Sequence, residues 1–86
     1  MWYVCVLQSE KDEKLYAGFT SDLRRRFSEH NSARGGKYTK RKKPFKLIFY
    51  EAYLDKKDAM TAERFFKSGY GREVLRKDKL KYFFKE

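Results

Sequence analysis

Four side chains in this sequence have the chemistry to work on a phosphate ester. Glu63 is a carboxylate with Ala59 one turn before it, Ala62 beside it and Phe66 ahead. A carboxylate on such an apolar stripe must be paired, bind a metal or lie at the edge of the core. The ordinary alternative is an ion pair with Lys67, one helical turn on. Arg26 lies three residues after Leu23 and flanks a buried helix stripe, with His30 four residues further along that face. Its fork of donors and permanent charge suit it to gripping a phosphate. The bland alternative for Arg24, Arg25 and Arg26 is a solvated basic face. Tyr3 and Tyr16 supply phenols on two short apolar segments, where a tyrosine is ordinarily a core residue with a satisfied hydroxyl.

These residues need elements to hold them. Trp2–Leu7 is short and rich in aromatic and β-branched residues, and reads as a strand buried on both faces. Gln8–Lys14 is polar and turn-like, and Leu15–Thr20 is a second strand, so the two form a hairpin. A register with Tyr3 opposite Tyr16 leaves Gln8–Lys11 as the loop. Thr20, Ser21 and Asp22 are all good caps for a helix running to about Asn31, whose apolar stripe is Leu23 and Phe27. Phe45–Tyr53 reads as a third strand. Asp55 caps a helix that ends near Lys67, Gly69 and Gly71 punctuate the chain, and a last helix is expected over about Arg72–Lys85. The expected architecture is therefore α+β, a small and mainly antiparallel three-stranded sheet flanked by helices in the order β-β-α-β-α-α.

Composition agrees with one domain over residues 1–86. Hydrophobic residues are 41% and aromatics 19%, enough for a core and too many for a disordered chain. Lys and Arg number 22 against 12 Asp and Glu, a net charge of +10. Such an excess favours polyanions, nucleic acid before an anionic membrane surface. No acidic residue lies between Glu29 and Glu51, and that window holds Arg34, Lys37, Lys40, Arg41, Lys42, Lys43 and Lys46. The single cysteine, Cys5, sits in an apolar run and reads as a small buried hydrophobe. It permits no disulfide within the chain, which suits a reducing cytoplasm. The opening apolar run lacks a basic leader and is not read as a signal peptide, and no stretch approaches membrane-spanning length.

Taken in order, these residues resemble the GIY-YIG nuclease domain. Trp2-Tyr3-Val4 stands where the first motif belongs, and Tyr16-Ala17-Gly18 is the second. Thr20-Ser21-Asp22-Leu23-Arg24-Arg25-Arg26 and Glu29-His30-Asn31 follow. The basic loop ends in Arg41-Lys42-Lys43-Pro44, and the strand Leu47-Ile48-Phe49-Tyr50-Glu51 comes next. The helix with Ala59, Glu63 and Lys67 and then Gly71-Arg72 complete the set. The likeness is greatest to small stand-alone members, kin to the N-terminal nuclease domain found in excinuclease. It implies an active site of Tyr3, Tyr16, Arg26 and Glu63, with His30 at a polar, site-facing position. The implied chemistry is phosphodiester hydrolysis with one Mg²⁺ or Mn²⁺ held by Glu63. Arg26 is expected on the scissile phosphate, and Tyr16 as general base or water-orienting group with Tyr3 assisting. The two tyrosines are interchangeable in those roles at this stage. Arg25, Arg34, Lys37, Tyr38, Lys40, Arg41, Lys42 and Lys43 are expected to track the nucleic-acid backbone, with Tyr38 stacking on a base. The resemblance departs in Phe19, where some relatives place a lysine, and in the lack of a late asparagine. The expectations are a cytoplasmic monomer acting on DNA rather than RNA, in repair or recombination, aimed by a partner protein. A basic module that binds without cutting is the other reading.

Overall fold

The computed structural model describes residues 1–31 and 44–84, with the backbone alone for 29–31. Strands β1 (Trp2–Ser9), β2 (Leu15–Thr20) and β3 (Phe45–Tyr53) form one antiparallel sheet in the order β2-β1-β3. Helix α1 (Leu23–Asn31) follows β2, α2 (Lys56–Lys67) follows β3, and α3 (Gly69–Val74) runs on into a π-helical turn at Leu75–Lys79. The fold is α+β with the expected element order.

β1 is the middle strand, which accounts for its unbroken apolar run: Val4 through Ser9 are all buried. Directly opposite residues share a face of the sheet. One face carries Val4, Val6, Leu15 and Ala17, covered by Phe66 and Leu75 with Phe49, Ala62 and Leu80 around them. The other face carries three cross-strand rows: Thr20–Tyr3–Ala52, Gly18–Cys5–Tyr50 and Tyr16–Leu7–Leu47. A bulge between the second and third rows leaves Ile48 without a direct partner.

The hairpin register differs from the expected one. Tyr3 faces Thr20, and Tyr16 faces Leu7. Both registers keep the same residues on the same face, so hydrophobic alternation does not distinguish them. Backbone pairing does. Setting Tyr3 against Tyr16 would carry Gly18–Thr20 past the start of β1, whereas the observed register pairs all six residues of β2. The turn fits that choice. Glu13 adopts φ 60°, the Ser9 amide donates to the Lys14 carbonyl at 3.0 Å, and the Lys11 amide donates to Ser9 Oγ at 3.1 Å. The loop is therefore residues 10–13 rather than Gln8–Lys11.

The caps sit where short polar side chains allow them. Asp22 Oδ1 accepts from the Arg25 amide at 3.0 Å, and Asp55 Oδ1 from the Lys57 amide at 2.7 Å. The last helix begins earlier than expected and is broken up. Ser68 Oγ accepts from the Gly71 amide at 3.0 Å and starts α3, so both glycines lie inside it. The helical run ends at Lys79 instead of reaching Lys85. Gly71 is there because α3 closes directly on the end of α2: a Cβ at this position would collide with the Phe65 carbonyl oxygen. Gly71→Ala must push one helix off the other. It is expected to cost about 2 kcal/mol or more, read as a fall in the denaturation midpoint with an unchanged slope.

Candidate active site

Gly18 is the point on which the site converges. A Cβ built there would lie 3.6 Å from Arg26 Nη2, 3.7 Å from Arg26 Nε and 4.0 Å from Glu63 Oε2. The bare strand backbone thus lets α1 bring a guanidinium and α2 bring a carboxylate onto the same spot. Asp22 positions Arg26 by capping α1, and the Arg26 amide continues the helix by donating to the Asp22 carbonyl at 3.0 Å. On α2, Ala59 and Phe66 are buried and Ala62 packs against the core, which leaves Glu63 on the flank of the apolar stripe.

Arg26 Nε is buried and has no hydrogen-bond partner among the described residues. An orphaned buried donor costs roughly 1–3 kcal/mol, and an acceptor that satisfies it has to come from beyond those residues. Glu63 is divided between two neighbours. Oε1 lies 3.6 Å from Lys67 Nζ, and Oε2 faces Gly18. The anticipated Lys67 pair therefore exists. With the Lys67 side chain 56% exposed it is a weak contact, and it leaves the second oxygen for the site.

Both sequence-predicted tyrosines lie on the face that carries Gly18. Tyr16 is two residues before Gly18 on the same strand, about 7 Å along it. Tyr3 is diagonal to Gly18 across β1, about 7–8 Å away. They flank the Gly18–Cys5 row from opposite sides instead of facing each other. Tyr16 packs edge-on against Phe45 with centroids 5.3 Å apart, a contact that spans β1 above the small side chain of Ser9. Tyr3 packs edge-on against Tyr50 at 6.2 Å. Tyr53 belongs to the other face. It donates to Glu51 Oε1 at 2.9 Å, and partial burial, with help from Glu51, pushes its phenol up to about 12. That tyrosine keeps its proton.

Cys5 is the buried hydrophobe its apolar run implies, at 2% exposure. Its place leaves no mark in the sequence: it is the direct partner of Gly18 and forms the floor beneath Arg26 and Glu63. Burial pushes its thiol up, and the Arg26 charge offsets this only in part. The thiol is therefore protonated at neutral pH and inert. It should resist alkylation in the native protein and react once denaturant is added, as followed by mass. Arg25 is exposed on α1, beside the site. The side chain of His30 and residues Arg34, Lys37, Tyr38, Lys40, Arg41, Lys42 and Lys43 lie outside the described residues. Among those described, no cluster of three His, Cys, Asp or Glu residues forms a metal cage. Glu63 is thus a lone carboxylate, which fits a hard cation that takes one protein oxygen and keeps several waters.

Fold and site together define a small basic α+β domain with an arginine donor buried beside a carboxylate. Residues 1–78 match the GIY-YIG catalytic domain, and the chain belongs to that family, whose members are generally nucleases. It is 49% identical over 57 residues to the UPF0213 protein YazA of Bacillus subtilis, a match covering 66% of this chain and 58% of YazA. It is 44% identical over 73 residues to the UPF0213 protein in the ldhD 5′ region of Pediococcus acidilactici, covering 83% of this chain and 69% of that one. The solution NMR structure of the UPF0213 protein BH0048 from Bacillus halodurans superimposes with a TM-score of 0.60 at 34% identity. That match covers 98% of this chain and 92% of the other. Among the described residues, no helix is long and apolar enough to cross a membrane.

Proposed function

We propose that this chain is a divalent-metal-dependent endonuclease acting on DNA, in repair or recombination. The observation that carries this reading is the convergence of Arg26 and Glu63 on Gly18, with Arg26 Nε buried and unsatisfied among the described residues. A phosphate oxygen is an acceptor that Arg26 would grip, offsetting charge as it grows on the phosphorus in the transition state. Glu63 would hold one Mg²⁺ or Mn²⁺ through Oε2, and that ion would supply an activated water and charge neutralisation. Tyr16, two residues from Gly18, would orient or deprotonate the attacking water, and Tyr3 would assist from the diagonal position. Water attacks the phosphorus, the bond to the leaving oxygen breaks, and that oxygen takes up a proton. The net charge of +10 draws the backbone to the protein by contacts that are salt-dependent and largely blind to sequence. A partner protein would supply the aim that this domain lacks.

The test is a cleavage screen over duplex, flapped, branched and single-stranded DNA with the matching RNAs, in Mg²⁺ and in Mn²⁺. Cleavage of DNA that stops on chelation is the expected result. Salt-dependent binding with no cleavage of any substrate would make this a binding module of the same fold.

A further inference from the structure

The row that contains the site ends on an exposed aromatic ring. Cys5 pairs with Gly18 on one side and with Tyr50 on the other, so all three side-chain positions lie in line on one face. Tyr50 is 54% exposed, the most exposed large hydrophobic residue in the sheet. Two strand spacings, about 10 Å, separate its Cα from that of Gly18. Tyr3 meets it edge-on at 6.2 Å and holds the ring from the neighbouring row. The Tyr50 side chain is therefore positioned by its neighbours and open to solvent.

We infer that Tyr50 is a stacking platform for the base of an unpaired nucleotide whose phosphate is held at Arg26. The inference rests on the nuclease reading for the identity of the ligand and adds the form of the substrate. Three features favour a base over another occupant. The ring stands in line with a buried donor that needs an acceptor, and phosphate and base come as one unit in a nucleotide. The surplus of positive charge selects a polyanion over a protein or a neutral ligand. Stacking on an exposed tyrosine is open to any base, provided that base is free of its own helix. In a duplex the bases face inward and leave Tyr50 nothing to stack on. The site then selects DNA with an unpaired stretch at the cut, whether a single strand, a flap or an opened junction.

The test is fluorescence anisotropy with a labelled single-stranded oligonucleotide and its duplex, with divalent ions chelated so that binding is read without cutting. Tyr50→Ala should weaken single-strand binding about tenfold and leave duplex binding within about twofold. Tyr50→Phe should bind like wild type, because the ring does the stacking. A 2-aminopurine in the strand should be quenched by wild type and by Tyr50→Phe, but not by Tyr50→Ala. Wild-type single-strand affinity in Tyr50→Ala, or an equal loss for both forms of DNA, would overturn the inference. A protein that shows the Tyr50 effect yet cuts nothing in Mg²⁺ loses the nuclease reading and keeps this one. A protein that cuts with Tyr50→Ala at full affinity keeps the nuclease reading and loses this one.

Discussion

Arg26→Ala is expected to abolish DNA cleavage while leaving the melting temperature unchanged or slightly raised. The two halves of this result have one cause. Arg26 Nε is a buried donor with no partner among the described residues, so the folded protein carries its desolvation without a compensating bond there. Truncation removes that burden and should cost the fold little. The same truncation leaves nothing to offset charge on the phosphate, where one preorganised donor is worth about 10²–10³ in rate. Arg26→Lys should recover only part of the activity, because an ammonium supplies the charge without the fork. Single-turnover cleavage rates measured beside thermal melts separate the outcomes. Loss of activity together with a large fall in melting temperature would make Arg26 a structural residue.

Gly18→Val is the second large effect. Ala should be tolerated, since a Cβ at 3.6–3.7 Å from the guanidinium is in ordinary contact. Valine adds two methyl groups, and these occupy the space in which Arg26 and Glu63 meet. The strand itself accepts valine readily, so the fold should persist. Cleavage should fall by about a hundredfold, as for the loss of one positioned donor. A graded series of Gly, Ala and Val, with circular dichroism as the control, reads the effect. Valine at full activity would mean that the space over Gly18 is not where the phosphate goes.

The sequence showed the elements well, because strands buried on both faces, capping aspartates and an apolar helix stripe leave local marks. Trp2, Leu15 and Phe45 each begin a strand, and Asp22 and Asp55 each cap a helix. It also showed that Arg26 and Glu63 were out of place. What it did not show depended on distances along or across the sheet. Two hairpin registers gave the same pattern of faces, and only the count of paired residues separated them. Gly71 looked like punctuation because its reason, the Phe65 carbonyl, belongs to another helix. Gly18 was visible only as the end of a motif, and Cys5 only as a core residue. Their pairing at the floor of the site needed the correct register. The expectations on the basic window and on the His30 side chain fall outside the described residues.

If Glu63 and Arg26, meeting over Gly18, cut a phosphodiester with the help of one metal ion, the carboxylate charge is indispensable. The most direct measurement is cleavage of a flapped DNA in Mg²⁺ by wild type and by Glu63→Gln. The amide keeps the size of the carboxylate and removes its charge. Cleavage by wild type that stops on chelation, and loss of cleavage in Glu63→Gln with DNA binding and melting temperature preserved, is the predicted result. Full cleavage by Glu63→Gln in the same buffer would contradict it.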